Sequence, residues 1–387
     1  MYLRVNEERY ISDSSKEDKL IIEPYVCLFD SEWKVVDEVF FFLESRLHIK
    51  NLTFNTVATK GSDLKLFYDF LTLYSLGYKN ISQKEINDFI AWLMLPKSND
   101  SQSPMSESQT KRTAKTVNRI ISSIKDFYRY HKSINQIKDP FAHTSETITH
   151  PTRQKGFYAH SHDGLVQKSI FKIKEFDKGI RVLSKEQIDT ILQNCTMERD
   201  KLLFELLLFT GMRIGEALSL DIHAIGLSHL NETVQDLLLS SNENDYLKGS
   251  RQRQQKSGTR DLFIPTELMK KLTAYYEHTW LDIYSKKEME HEFFFISEFH
   301  NNLGEPLSYQ AVWDRCRKIG KKCGIFFTPH DFRHTFATTL ARNKIGLERL
   351  RKLLGHRDLA STDIYIQIAN KEEIVEDLIP FYESYGL

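Results

Sequence analysis

The residues whose types and spacing could do chemistry lie in three short segments of the C-terminal half. In chain order these segments are "TGMRIGEALSL" (210–220), "TPHDFRHTFATTL" (328–340) and "LLGHRDLASTDIYI" (353–366). They supply two arginines, Arg213 and Arg333, two histidines, His330 and His356, and one tyrosine, Tyr365. Two guanidiniums suit displacement at a phosphodiester, because negative charge grows on its non-bridging oxygens during the reaction.

Tyr365 lies nine residues after His356, and this position allows two interpretations. Most tyrosines at helical spacing pack in a core. A tyrosine with an unperturbed pKa of about 10 becomes a usable nucleophile only in a cationic site that also holds a base. Whether Tyr365 packs in a core or acts as a nucleophile therefore depends on the residues that surround it.

The segment 328–340 carries the signals of a helix start. Thr328, Pro329 and Asp331 would occupy the cap, first and third helical positions. His330 and Arg333 are then three residues apart on one face, at the positive end of the helix, where an anion is favoured.

Arg213 and His356 are also predicted at helix boundaries. Arg213 follows a Thr-Gly break, and Glu216 can hold its guanidinium by a charge-assisted hydrogen bond, with a purely structural ion pair as the alternative. Gly355 predicts a left-handed helix end from which His356 projects. Ser361 or Thr362 could then cap a further short helix that carries Tyr365.

The sequence gives no sign of a metal or another cofactor. His330 and His334 could be metal ligands four residues apart, but Arg333 would place a fixed positive charge beside the ion. The four cysteines have no paired spacing and are typical of free thiols in a reducing cytoplasm. The chain lacks a G-x-x-x-x-G-K-[ST] loop, which argues against ATP chemistry.

A length of 387 residues predicts two domains. Apolar stripes at helical spacing predict a helical domain, and "TRDLFIPTEL" (259–268) predicts a small sheet over about 236–264 within an otherwise helical second domain. The predicted divisions are an N-terminal extension (1–34), a helical domain (35–133), a linker (134–180), a second domain (181–370) and a C-terminal tail (371–387).

The charges are balanced overall, with 53 Lys and Arg against 53 Asp and Glu, but they are unevenly distributed. Three basic runs, at 111–133, 248–260 and 315–322, predict a cationic surface suited to a phosphate backbone. For each run alone, a solvated face is the alternative. Neither a secretory signal nor a continuous apolar stretch of about 18 residues is present, so we expect a cytoplasmic protein without membrane contact.

The three segments, in this order, resemble the tyrosine recombinases, also called the phage-integrase family. The resemblance covers about residues 180–370 and extends more weakly to 35–133, which is similar to the family's helical core-site DNA-binding domain. It implies a mainly α fold, with a mixed α/β catalytic domain that is mostly α and has a small antiparallel sheet. It also implies cleavage and rejoining of DNA through a 3′-phosphotyrosine, with no metal, ATP or other cofactor.

The resemblance also implies a role for each site residue. Tyr365 would be the nucleophile, Arg213 and Arg333 would clamp the phosphate, and Glu216 would be their acidic support. His330 would be the general base, and His356 would hydrogen-bond the phosphate. Lys256, on a turn before the predicted strand, would protonate the leaving 5′-oxygen, and Lys248 is the competing candidate.

The implied partner is double-stranded DNA with specific core sites, bound by a homotetramer with possible accessory DNA-bending factors. The candidate DNA-binding side chains are Lys111, Lys115, Arg119, Arg251, Arg253 and Arg260. The chain length favours an integrase or transposase of a mobile element, nucleoid-associated when bound to DNA. A type IB topoisomerase-like enzyme and a catalytically silent DNA-binding regulator are the alternatives.

Overall fold

The computed structural model describes the chain in two compact units. The described residues are 1–6, 10–12, 20–22, 25–95, 112–135, 137–142, 145–149, 165–169, 171–175, 179–225, 233–238, 261–287, 289, 291–356 and 358–384. The first unit comprises the described residues of Met1–Asp177, and the second comprises those of Lys178–Leu387. The boundary falls inside the segment 134–180 that the sequence predicts as a linker.

The first unit is a helical core with short strand pairs. Its elements are β1 (Tyr2–Asn6), β2 (Tyr10–Ser12), β3 (Leu20–Ile22), β4 (Tyr25–Phe29), α1 (Asp37–Glu44), α2 (Phe54–Leu73), α3 (Gln83–Met94), α4 (Ala114–Asn135), β5 (Ser145–Thr149) and β6 (Leu165–Ser169). A π-helical turn, Ser45–Ile49, continues α1. The strands pair antiparallel as β1 with β4, β2 with β3, and β5 with β6.

Local sequence signals explain the helices of this unit. Ser82 and Glu85 form a capping box at the start of α3. The apolar side chains of α4 that recur at helical spacing are buried: Val117, Ile120, Ile121, Ile124 and Phe127. The strand pairs were not predicted. Val26 and Leu28 of β4 are buried in the same core as α1 and α2, so this strand packs into the core of the first unit.

The second unit is mainly helical and contains one strand pair among its described residues. Its elements are α5 (Lys185–Gln193), α6 (Glu198–Thr210), α7 (Ile214–Leu218), β7 (Val234–Leu238), β8 (Asp261–Pro265), α8 (Thr266–Tyr275), α9 (Leu281–Lys286), α10 (Tyr309–Cys323), α11 (Pro329–Arg342), α12 (Leu347–Leu354) and α13 (Ala360–Ser384). The strands β7 and β8 are antiparallel, and Leu237 lies opposite Leu262 with both side chains buried. The predicted fold class, mainly α with a small antiparallel sheet, is confirmed.

Helix α6 is the centre of the second unit. The leucines and phenylalanine of Leu202–Leu207 are buried on all sides of the helix, as expected for an element surrounded by others. The helix packs against α8, β8 and α11. It ends at Gly211, which takes the left-handed conformation (φ +61°) and directs the chain toward α7.

The last helix differs from the prediction. Neither Ser361 nor Thr362 caps it, because Asp358 accepts a hydrogen bond from the backbone N–H of Ser361 (2.8 Å). The helix is also not short: α13 runs for 25 residues through Ser384 and includes most of the segment predicted as a separate tail. Among the described helices we find none whose length and apolar character would suffice to cross a bilayer.

Two helix-end glycines of the second unit give a matched test of packing. A Cβ on Gly211 would lie 2.2 Å from Cδ1 of Phe336, whereas a Cβ on Gly324 (φ +71°) would meet nothing within 4 Å. We expect Gly324→Ala to lower the free energy of unfolding by about 1–2 kcal/mol, the cost of a left-handed alanine. Gly211→Ala should lose a further ~1–3 kcal/mol from overpacking. Denaturant unfolding measures both, and equal losses would contradict the predicted overlap with Phe336.

Candidate active site

Arg333 is the most deeply buried charge of the site, with 1% of its surface exposed. It projects from α11, whose start is fixed by the predicted capping box of Thr328 and Asp331 with Pro329 in the first turn. Its Nη1 donates to the carbonyl of Gly211 (2.6 Å), and its Nη2 donates to the carbonyl of Leu354 (2.7 Å). One guanidinium thus binds the ends of α6 and α12.

Arg213 is held at the start of α7 by Glu216. The Glu216 carboxylate accepts from the backbone N–H of Arg213 (2.7 Å) and from its Nη1 (3.0 Å), and the carboxylate is 1% exposed. The predicted Arg213–Glu216 pairing is therefore present. The Nη2 of Arg213 lies 3.5 Å from the carbonyl of Gly355. Both arginines consequently reach the turn that ends α12.

His356 leaves this turn as predicted, because Gly355 has φ +60° and the N–H of His356 bonds back to Arg351 (3.1 Å). Its Nε2 lies 2.8 Å from Nη2 of Arg333, and its Nδ1 lies 2.8 Å from Oγ1 of Thr362. A guanidinium can only donate, so Nε2 accepts from Arg333. The proton of the neutral ring is then on Nδ1, which donates to Thr362.

Tyr365 faces this cluster from α13 and is 3% exposed. Its hydroxyl lies 3.0 Å from Nδ1 of His334, and its ring lies 6.4 Å from that of His356 at an interplanar angle of 13°. Burial raises the pKa of the Tyr365 hydroxyl. The charges of Arg333 and Arg213 and a hydrogen bond with Arg333 act in the opposite direction.

His330 lies one helical turn before His334 on α11, with 4.3 Å between the ring centroids. Burial lowers the pKa of His330, and the charges of Arg333 and Arg213 add to this effect. Among the described residues, which include both partners, no hydrogen bond joins His330 to Tyr365. The site thus brings together all five predicted chemistry-bearing residues, but the histidine that contacts the tyrosine hydroxyl is His334.

The sequence interpretation missed the contributions of His334 and Thr362. It considered His334 only as a metal ligand paired with His330, and it considered Thr362 only as a helix cap. The spacing His330-x-x-x-His334 puts both rings on neighbouring positions of one helical face, which signals that either could meet a residue from another helix. Within the described residues, no group of three His, Cys, Asp or Glu side chains is arranged to hold a metal ion.

The candidate DNA-binding residues are only partly described. Lys115 is exposed on α4. Arg119 donates to both carboxylate oxygens of the buried Asp63 (2.7 and 2.6 Å), which ties it to α2 while about half of its side chain stays exposed. Six predicted cations lie outside the described residues: Lys111, Lys248, Arg251, Arg253, Lys256 and Arg260.

A tyrosine hydroxyl set among two guanidiniums and several imidazoles is equipped for transfer at a phosphodiester. Comparison with known proteins agrees with this chemistry. Residues 181–372 match the model of the phage integrase family. Transposase A from transposon Tn554 of Staphylococcus aureus is 30% identical over 360 residues, which is 90% of this chain and 92% of that protein. Tyrosine recombinase XerD of S. aureus is 24% identical over 87% of this chain and 95% of its own length.

Solved structures share the fold. The Tn1549 transposon integrase, in complex with transposon right end DNA, has a TM-score of 0.56 at 16% identity and is matched over 88% of this chain and 98% of that one. The XerH site-specific recombinase, bound to palindromic difH substrate in a post-cleavage complex, has a TM-score of 0.55 at 17% identity. That match covers 84% of this chain and 79% of XerH.

The chain belongs to the phage integrase family. It is a site-specific tyrosine recombinase of the mobile-element type, an enzyme class that cleaves and rejoins DNA without metal or ATP. This confirms the resemblance drawn from the three segments. The topoisomerase-like enzyme and the catalytically silent regulator are not favoured by these relatives.

The bond between Thr362 and His356 can be tested with a matched pair of variants. Thr362 is fully buried, so Thr362→Val keeps the side-chain shape but removes the hydroxyl that Nδ1 of His356 contacts. We expect a loss of about 1 kcal/mol in unfolding free energy, because a partly buried ring nitrogen loses this hydrogen-bond partner. The ¹⁵N chemical shifts of His356 should also show a changed tautomer population. Thr362→Ser should retain the tautomer, and a shift pattern unchanged in both variants would contradict the assignment.

Proposed function

We propose that this recombinase binds duplex DNA at specific core sites and exchanges strands for a mobile element through a phosphotyrosine at Tyr365. One observation carries the proposal: the Tyr365 hydroxyl lies 3.0 Å from an imidazole nitrogen and within hydrogen-bonding reach of the buried Arg333 guanidinium. A hydroxyl that only filled a core would not need a base and a cation beside it.

The two arginines act on the phosphate oxygens. Arg333 is held by main-chain carbonyls and Arg213 by Glu216, so both charges are in place before DNA binds. Such preorganised donors stabilise the charge that develops on the non-bridging oxygens. His330 lies near both guanidiniums, and His356 adds a third donor once its Nε2 carries a proton. The base role that the resemblance gives to His330 stays a prediction.

Tyr365 attacks phosphorus and displaces the 5′-oxygen, which leaves a 3′-phosphotyrosyl bond and a free 5′-hydroxyl. Because the phosphodiester bond is exchanged rather than hydrolysed, rejoining needs no external energy source. The leaving oxygen requires a proton, and we assign its donor to Lys256 on the basis of the resemblance, with Lys248 as the competitor.

We further propose that two units of one chain contact the core site and that a tetramer assembles on paired sites. Lys115 and Arg119 of α4, with Lys111, Arg251, Arg253 and Arg260, would contact the DNA backbone. The exposed apolar side chains of Ile374 and Val375 on α13 support a protomer contact made by the C-terminal segment. The protein would act in the cytoplasm, on the nucleoid, with possible DNA-bending partners.

Replacement of Tyr365 by phenylalanine tests the nucleophile directly. The substitution removes one hydroxyl from a buried ring, so the protein should fold and bind DNA like the parent. On a nicked suicide substrate with the cognate core site, the parent should form a covalent adduct on the 3′ side of the break, without metal or ATP. Tyr365→Phe should form none, as read on a denaturing gel.

The matched control is Tyr128→Phe, in which a buried tyrosine of the first unit loses a hydroxyl that donates to the Tyr78 carbonyl (2.6 Å). This variant should lose stability but keep the adduct. If Tyr365→Phe still forms the adduct, the nucleophile is another residue and the proposed mechanism is wrong.

The leaving-group acid is tested by changing the leaving group. Lys256→Ala should abolish cleavage of an ordinary substrate, and a substrate with a 5′-thiol leaving group should be cleaved again because a thiolate leaves without a proton. Single-turnover rates on both substrates measure this rescue. Rescue of Lys248→Ala, with no rescue of Lys256→Ala, would reassign the acid to Lys248.

A further inference from the structure

We propose that His334 is a catalytic residue of this enzyme: its Nδ1 takes the proton of the Tyr365 hydroxyl as that oxygen attacks the phosphate. The inference rests on the proposed function and adds the group that activates its nucleophile. It differs from the assignment implied by the resemblance, which gives this role to His330.

The contact between α11 and α13 carries the proposal. These helices pack along one another, and His334 is the α11 histidine that meets the Tyr365 hydroxyl, which lies 3.0 Å from its Nδ1. A hydroxyl donates to an unprotonated ring nitrogen at this distance. With its ring proton on Nε2, neutral His334 accepts this hydrogen bond at Nδ1. A general base needs this direct reach to the proton that it removes.

The groups that face His334 explain why it is an acceptor in the DNA-free protein. They are Arg333 and His330 on α11, His356 after α12, and Tyr365 on α13. Burial, together with the neighbouring side chains of His330, Arg333 and His356, lowers the pKa of His334 to about 4. The ring is neutral at physiological pH, so its lone pair is available to Tyr365.

Binding of a phosphodiester changes this balance. The anion is attracted to Arg213 and Arg333 and offsets their charge, so a positive charge on His334 becomes less unfavourable. His334 is thus a stronger base with DNA than without it. The buried hydroxyl of Tyr365, whose pKa is raised by burial, stays protonated in the DNA-free protein.

The proposed step balances in atoms and charge. The Tyr365 O–H proton moves to Nδ1 of His334, which gives an imidazolium. The bond between the tyrosine oxygen and phosphorus forms while the bond from phosphorus to the 5′-oxygen breaks, and the 5′-oxygen takes a proton from the proposed lysine acid. On rejoining, a 5′-hydroxyl attacks phosphorus and gives its proton back to the neutral lysine, while the tyrosine oxygen leaves and takes its proton from the imidazolium of His334.

The first test compares His334→Asn with the parent. The Asn amide oxygen can take the place of Nδ1 as an acceptor, so the hydroxyl keeps a partner, but an amide cannot take a proton at ordinary pH. His334→Asn should bind the core site like the parent and slow single-turnover cleavage by about 10²–10⁴-fold. The rate of the parent should fall on the acidic side as His334 is protonated, and the variant should lose that limb of the pH profile.

Two chemical substitutions separate activation of the nucleophile from other effects. A 5′-thiol substrate should not rescue His334→Asn, because the missing group acts on the attacking oxygen rather than on the leaving one. Incorporation of 3,5-difluorotyrosine at position 365 makes the phenol more acidic and less dependent on a base. It should recover at least about tenfold of the rate lost in His334→Asn. A variant impaired only in packing would show no such recovery.

The outcomes distinguish this inference from the proposed function. If the parent forms the adduct and Tyr365→Phe does not, while His334→Asn cleaves at the parent rate with an unchanged pH profile, His334 is not the base and the proposed function stands. If His330→Asn instead loses the acidic limb and is rescued by difluorotyrosine, the base is His330. Should His334→Asn fold poorly, His334→Gln is measured in the same assays, and rescue by difluorotyrosine in either variant supports the assignment.

Discussion

The catalytic unit depends on how the buried guanidinium of Arg333 is held. An isolated cation in a protein interior is several kcal/mol unfavourable unless strong partners replace its water. Two of its partners are carbonyls at the ends of different helices, Gly211 O after α6 and Leu354 O at the end of α12. Helix ends leave carbonyls unpaired, so the cation and the helix ends satisfy one another. Breaking this arrangement would remove the contacts that Arg333 makes between α11 and the ends of α6 and α12, together with a proposed catalytic charge.

The same arrangement sets the ionisation of the whole site. Carbonyl dipoles orient the charge of Arg333 without cancelling it, whereas Arg213 has the carboxylate of Glu216 beside it. Burial lowers the pKa of both His330 and His334, and the excess positive charge adds to this effect. The same charge acts against the burial that raises the pKa of Tyr365. A bound phosphodiester supplies the missing negative charge. The DNA-free site is therefore poised for an anion, and its acid–base groups change strength when the anion arrives.

Signals within a few residues of one another were sufficient to predict much of the fold. The capping boxes at Ser82 and Thr328 and the left-handed helix end at Gly355 depend on local hydrogen bonds, and each is present. Pairing between β1 and β4 joins Tyr2 to Phe29 across the chain, and no local pattern specifies such a partner.

The contacts of Thr362 and His334 at the site were also not predicted, because they too depend on residues distant in the sequence. Thr362 has the residue type of a helix cap, but its hydroxyl contacts His356 instead, and Asp358 bonds the first turn of α13. The spacing on α11 places His330 and His334 near one face, and only the packing angle against α13 decides which of them reaches Tyr365. Tertiary contacts therefore decided those assignments that local spacing left open.

Helix α13 connects the proposed nucleophile, Tyr365, with the proposed phosphate-binding histidine, His356. Thr362 and Tyr365 are three residues apart, so they lie on one face of the helix, where Thr362 contacts His356 and Tyr365 contacts His334. Farther along, Glu372 and Glu373 pair with Arg342 and Lys344 at the end of α11 (2.7 and 2.8 Å). These contacts are spread along one continuous helix. A displacement of α13 as a rigid body would therefore break the contacts of Thr362 with His356 and of Tyr365 with His334 together. A protomer in which α13 shifts would thus displace, in one step, the proposed nucleophile and the hydroxyl that orients the proposed phosphate-binding histidine.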